Sequence, residues 1–170
     1  MATPTLGTVG GAEFSVGYAG QLALLPAGDP KIETRTNENA TAVDFGAAVC
    51  RGVATTPGIN GNTRPIFNPG VVLGFAVRAL SEANTTVAAG TVNYPQFGEV
   101  PILRDGYMWG LCGENATEGD AVVAVVADPT RLGSGTGGAA NATTRLATSA
   151  TWQQTVTVGN IGLIKVLNNA

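Results

Sequence analysis

The stretch Val100–Pro129, VPILRDGYMWGLCGENATEGDAVVAVVADP, decides how the chain reads. Its apolar runs are short, and turn residues break them at Asp105-Gly106, Gly113-Glu114-Asn115 and Gly119-Asp120. No run carries the three- and four-residue apolar spacing of a helix. β-Branched runs bounded by Gly, Asn and Asp are how the strands of a sandwich or barrel read. Asp105-Gly106 between VPIL and YMWGL is a hairpin signal, because a type I′ turn needs positive φ at both central residues. The strand that follows alternates. If Met108 points into the core, Tyr107 and Trp109 lie on the other face, toward a second sheet or a partner protein.

The same punctuation extends in both directions. DFGAAVCRGVA (44–54), GVVLGFAVRAL (70–80), QFGEVPILRDG (96–106) and GNIGLIKVL (159–167) are further strand-like runs, and 24 Gly and 9 Pro supply the turns. SEANTTVAAG (81–90) reads as a loop or an edge. The expected fold is all-β, a small β-barrel or jelly-roll-like sandwich with an extended N-terminal arm and less than about a tenth helix. Residues 1–30 form either that arm or the first strand. Residues 31–170 form the barrel or sandwich, with a flexible Gly/Ser/Ala/Thr loop at about 131–150. FGAAVCRG (45–52) echoes FGEVPILRDG (97–106), and two strands facing one core explain the likeness without duplication.

Composition narrows the function. Of 170 residues, 44% are apolar, enough for a core, but only 12% are charged. That is about half the usual share, and such a surface tends to meet another protein; a monomer coated in Thr, Asn, Ser and Gly is the alternative. The net charge is −3 with no basic stripe, so nucleic acid is not an expected partner. There is no histidine, which removes the commonest general base and metal ligand. Cys50 and Cys112 have no metal or redox spacing and read as buried free thiols. No secretory signal is visible, and the longest apolar run, AVVAVVA (121–127), is too short for a bilayer. Synthesis in a cytoplasm without a membrane partner is expected. The sequons at Asn39, Asn84, Asn115 and Asn141 follow from an Asn- and Thr-rich composition.

No motif carries chemistry. Glu114, Glu118 and Asp120 crowd into seven residues but lack the calcium-loop order, and Gly119-Asp120 before a strand is turn chemistry. GSGTGG (133–138) lacks the helix and the Lys-Ser/Thr pair of a phosphate loop. Ser134 and Ser149 have no histidine to activate them. Lys165, alternating with Ile164 and Val166, faces solvent. The expectation is no enzyme, no cofactor and no metal. The candidate partner-binding residues are Phe14, Tyr18 and Leu22 in the N-terminal segment, whose apolar residues have no period that buries them all, and Tyr107 and Trp109.

The order FGEVPILRDGYMWG (97–110), EGDAVVAVV (118–126) and GNIGLIKVLN (159–168) resembles the capsid decoration, or structural cement, proteins of tailed phages. DFGAAVCRGV (44–53) resembles their first barrel strand, and the likeness spans about residues 40–168, with 127–150 as the departure. The resemblance implies a small β-barrel on the outside of an icosahedral head. There it would bridge major capsid proteins as a dimer or trimer, at a two-fold or three-fold position, making it a virion protein of the capsid surface. The other readings are a head–tail joining or tail protein, and a β-sandwich glycan-binding module that stacks sugars on Tyr107 or Trp109.

Overall fold

A computed structural model describes residues 7–9, 12–14, 17–23, 29–38, 42–51, 58–60, 72–78, 93–125, 130–135 and 145–167. Among these residues there is no α-helix. The strands are β1 (Gly7–Val9), β2 (Ala12–Phe14), β3 (Lys31–Asn37), β4 (Val43–Asp44), β5 (Ala48–Arg51), β6 (Gly58–Asn60) and β7 (Val72–Ala76). They continue with β8 (Asn93–Tyr94), β9 (Glu99–Cys112), β10 (Ala121–Val125), β11 (Arg131–Ser134), β12 (Arg145–Trp152) and β13 (Ile161–Val166).

β9 organises the molecule. Its 14 residues would span roughly 45 Å if straight. Its second half pairs with β13, and the ladder continues through β12, β10 and β11 until β11 returns parallel to β9 at Leu111 and Cys112. That closes a five-stranded barrel, and closure removes the exposed edges that an open sheet would offer to other chains. The first half of β9 pairs with β3. From there the ladder runs through β6, β5 and β7 and back to β9 at Ile102 and Leu103, so a second ring of pairings shares the same strand.

The hairpin expected at Asp105-Gly106 is therefore absent. β9 runs through it, because each flank finds a different partner, β3 before and β13 after. Lys31 faces Asp105 and Ile32 faces Leu103, which leaves Arg104 as the extra residue of a bulge, and Gly106 adopts φ 132°. A bulge beside a glycine is how one strand turns the corner from one sheet into another.

Two cores follow from the alternation of side chains. Ala48 and Cys50 on β5, Phe75 on β7, and Leu103, Met108 and Cys112 on β9 enter the larger core with Leu132, Trp152 and Ile164. Ala47, Val49, Ala76, Val100 and Ile102 point the opposite way, into a second core closed by Val43, Phe45 and Tyr94. The β5–β7 layer is buried on both faces, which is why FGAAVC and VLGFAV read as unbroken apolar runs. Trp152 is fully buried and its Nε1 donates to the Gly133 carbonyl at 3.2 Å. Burial of such a ring contributes roughly 4–6 kcal/mol.

The stretch 131–150 is not one loop. β11 and β12 occupy its ends, and Leu132 and Leu146 lie in the core. Its small residues conceal this: Gly133 and Ser134 are small because they lie buried, with Trp152 bonded to Gly133. Residues 136–144 and 81–90 lie outside the described residues. Both thiols are buried and unpaired with each other.

Candidate functional site

The candidate residues of the N-terminal segment and of β9 come together at one place. Gly20 N donates to Trp109 O, Trp109 N to Gln21 O and Ala23 N to Tyr107 O, at 2.8–2.9 Å, and Leu22 forms a bridge with Met108. Residues 17–23 thus lie along β9 on the side that β13 leaves open. The face opposite Met108 does meet a second layer, one supplied by the chain itself. Trp109 is only 5% exposed, and Gly17 lies so close that a Cβ there would stand 2.2 Å from the indole Cδ1. An indole so covered offers no face to a sugar. Leu22 packs against the larger core, and Tyr107 is half-buried beneath Lys165, whose Nζ lies 5.7 Å from its ring centre. Phe14 ends β2 and pairs with Gly7 of β1; its side chain lies outside the described residues.

Tyr18 differs from these. It is 68% exposed, and the Arg78 guanidinium lies 4.7 Å from its ring and 5.4 Å from that of Phe45. Phe45 in turn meets Tyr94 edge-on at 5.3 Å. The cation between two rings adds about 0.5–1 kcal/mol at such an exposed position.

A second feature, which sequence reasoning missed, is the turn from β8 into β9. Gly98 N donates to Pro95 O at 3.0 Å, closing a β-turn over Pro95–Gly98. Its third residue, Phe97, has φ 62°, the type II arrangement in which Gly or Asn is the rule. A left-handed Phe costs about 1–2 kcal/mol. Asn37, fully buried at the end of β3, holds the turn in place with four hydrogen bonds. Its N donates to Gly98 O at 2.9 Å, its O accepts from Phe97 N at 2.7 Å, and its Nδ2 donates to Tyr94 O and Pro95 O at 3.4 and 3.2 Å. The ring so positioned is 72% exposed, the most exposed large apolar side chain among the described residues.

The opposite end of β9 carries a pair of interlocked loops, 113–120 and 153–160. Ala116 and Val156 exchange both backbone hydrogen bonds at 2.8 Å. Gly119 N donates to Trp152 O and Gly159 N to Cys112 O, while Trp152 N reaches Asp120 O and Cys112 N reaches Asn160 O. Side chains repeat the reciprocity: Asn115 Oδ1 accepts from Val158 N at 2.9 Å and Thr155 Oγ1 from Glu118 N at 3.4 Å. Every role recurs forty positions later, so a local two-fold axis passes between Ala116 and Val156. Both tips turn on left-handed glycines, Gly119 at φ 89° and Gly159 at φ 84°. The chemistry is not symmetric. Glu114, Glu118 and Asp120 on the first loop face Gln154, Val158 and Asn160 in the equivalent places on the second. Asp120 serves its turn, accepting from Thr117 N at 2.7 Å and from Ser134 Oγ at 2.8 Å.

What this geometry offers is a stiff body with presented apolar points and turn-bound polar groups. The family described as Structural cement protein (E217 gp24/Pam3 gp6) matches residues 7–168. The chain belongs to this structural cement family. The resemblance read from the strand order holds, and the match also takes in most of the N-terminal segment. The cement protein is a capsid-associated structural protein of a phage virion. A chain of the structure titled "The capsid of Myoviridae Phage XM1" has the same fold, with a TM-score of 0.58 at 15% identity over 92% of this chain and 93% of that one. No curated protein sequence matches the cement protein.

Proposed function

We propose that this cement protein decorates the outside of an icosahedral phage head and ties neighbouring major capsid proteins together, with no catalytic step. The observation that carries the reading is the family match over nearly the whole chain, residues 7–168. The form of the molecule supports it. A barrel closed on itself has few sheet edges through which it would aggregate. A single strand links two presented ends, the Phe97 turn and the paired loops, as a brace between two subunits requires. Many copies of a modest interface add up to a large stabilisation of the shell, although no single contact need be tight. Synthesis in the host cytoplasm and a dimer or trimer on the shell, at two-fold or three-fold positions, belong to the same proposal. Nucleic acid, membrane and cofactor have no part in it.

Cryo-electron microscopy of heads with and without the protein tests the reading. Density for the barrel bridging capsid subunits on the outer surface is the expected result, together with heads that burst at lower temperature when it is missing. Density confined to the neck or tail would overturn it.

A further inference from the structure

We propose that Phe97 is a plug that seats in an apolar pocket on the outer face of the major capsid protein, an inference that rests on the cementing role above. An exposed aromatic ring carries little information by itself; the backbone beneath it carries more. The turn places Phe where Gly or Asn would be unstrained, with Gly98 next in the chain. The strained residue is held by Asn37, which is buried and spends four hydrogen bonds on Pro95–Gly98 and Tyr94. Strain of this kind persists where the surroundings over-determine it, and it concentrates at sites of recognition. The fold thus holds a large apolar ring away from itself on a rigid mount. A ring already fixed in place loses little freedom on binding, which is what an interface anchor needs.

The chemistry around the ring selects its partner. Pro95, Gln96 and Gly98 are uncharged, so a pocket that takes the ring needs no counter-charge at the turn itself, while the exposed Glu99 two residues on disfavours an acidic rim. A second copy of this chain fits poorly. A two-fold contact centred on Phe97 would keep the exposed Glu99 of the two copies within about 13 Å of each other, like charges that add repulsion in a protein already at net charge −3. A stable dimer buries about 800 Å² per partner, and the exposed large apolar side chains among the described residues are Tyr18, Ile32, Phe97, Val158 and Leu167.

The test uses heads stripped of the protein and re-decorated with wild type, Phe97→Gly or Phe97→Asn. Both substitutions suit a left-handed residue, so both variants are expected to melt at or above the wild-type temperature. Their affinity for heads is expected to fall at least about tenfold. Wild-type affinity in these variants would overturn the plug, while wild type that fails to bind heads would overturn the cementing role itself. Variants that lose self-association in solution yet decorate heads normally would assign Phe97 to a second copy, against the proposal. Variants that melt well below wild type would contradict the strained turn on which it stands.

Discussion

Burial pushes the Cys50 thiol up to about 12 from its ordinary 9.0. Below pH 9 both folded and unfolded chains keep this proton. Above it the unfolded chain releases the proton and the folded chain does not, so stability falls as pH rises from 9 toward 12, by at most about 1.4 kcal/mol per unit. Urea midpoints at pH 8 and pH 10.5 should show wild type losing part of its lead over Cys50→Ala as the pH rises; a constant gap would mean the thiol is not held protonated. Cys112, raised by the same burial, adds to the slope of both proteins. That these residues are buried thiols was readable from AAVC and WGLC. The environment of Phe97 was not, since QFG reads with the glycine, not the aromatic, taking the left-handed position. Trp109 was placed on the correct face of its strand, but periodicity cannot say whether that face meets a partner or residues 17–23 of the same chain.

At the scale of elements, the runs at 44–54, 70–80, 96–112, 120–127 and 159–167 all contain strands, because dense β-branched runs need little else to be recognised. β3 escaped notice. Its sequence KIETRTN is polar on an exposed face, where Arg104 and Arg35 both contact Glu33, and it becomes a strand through β9. The forty-residue repeat escaped too, since it lies in hydrogen bonds whose side chains diverged from Glu-Asn-Ala to Gln-Thr-Val. The repeat predicts paired costs. Asn115→Ala removes a 2.9 Å acceptor from Val158 N and should destabilise by about 1 kcal/mol. Thr155→Ala removes the equivalent bond, at 3.4 Å, and should cost less, about half of that. Chemical denaturation of the two variants checks the order, and a larger loss for Thr155→Ala would show that the loops are not equivalent supports. Gly106→Ala belongs to the same scale: it strains the corner at φ 132° and brings a Cβ to 3.2 Å from Pro30. A loss of about 1–3 kcal/mol is expected, and a neutral result would mean that β9 does not need a glycine to change sheets.

The molecule as a whole is a strand with two rings of pairings around it, and its N-terminal segment bears on how much of the chain that body needs. An arm over residues 1–30 and a first strand within them make opposite predictions for truncation. Residues 17–23 supply hydrogen bonds to Tyr107 and Trp109, and Gly20 O accepts from Arg78 N at 2.7 Å. Gly17 covers the Trp109 indole. We therefore expect two different outcomes. Removing residues 1–12 takes away β1 and the first residue of β2, whose described pairing is with each other, and should leave the urea midpoint near that of the full chain. Removing residues 1–30 strips β9 of one neighbour, uncovers an indole and leaves Trp109 N and O to water. Returning about half of the indole's roughly 200 Å² to water costs about 2–3 kcal/mol, a large part of the stability of a domain this size. Both tryptophans are buried in the full chain, so the fluorescence of the longer deletion should shift to the red even where it remains soluble. A 1–30 deletion that melts like the full chain, with unshifted emission, would return the whole segment to the role of a detachable arm.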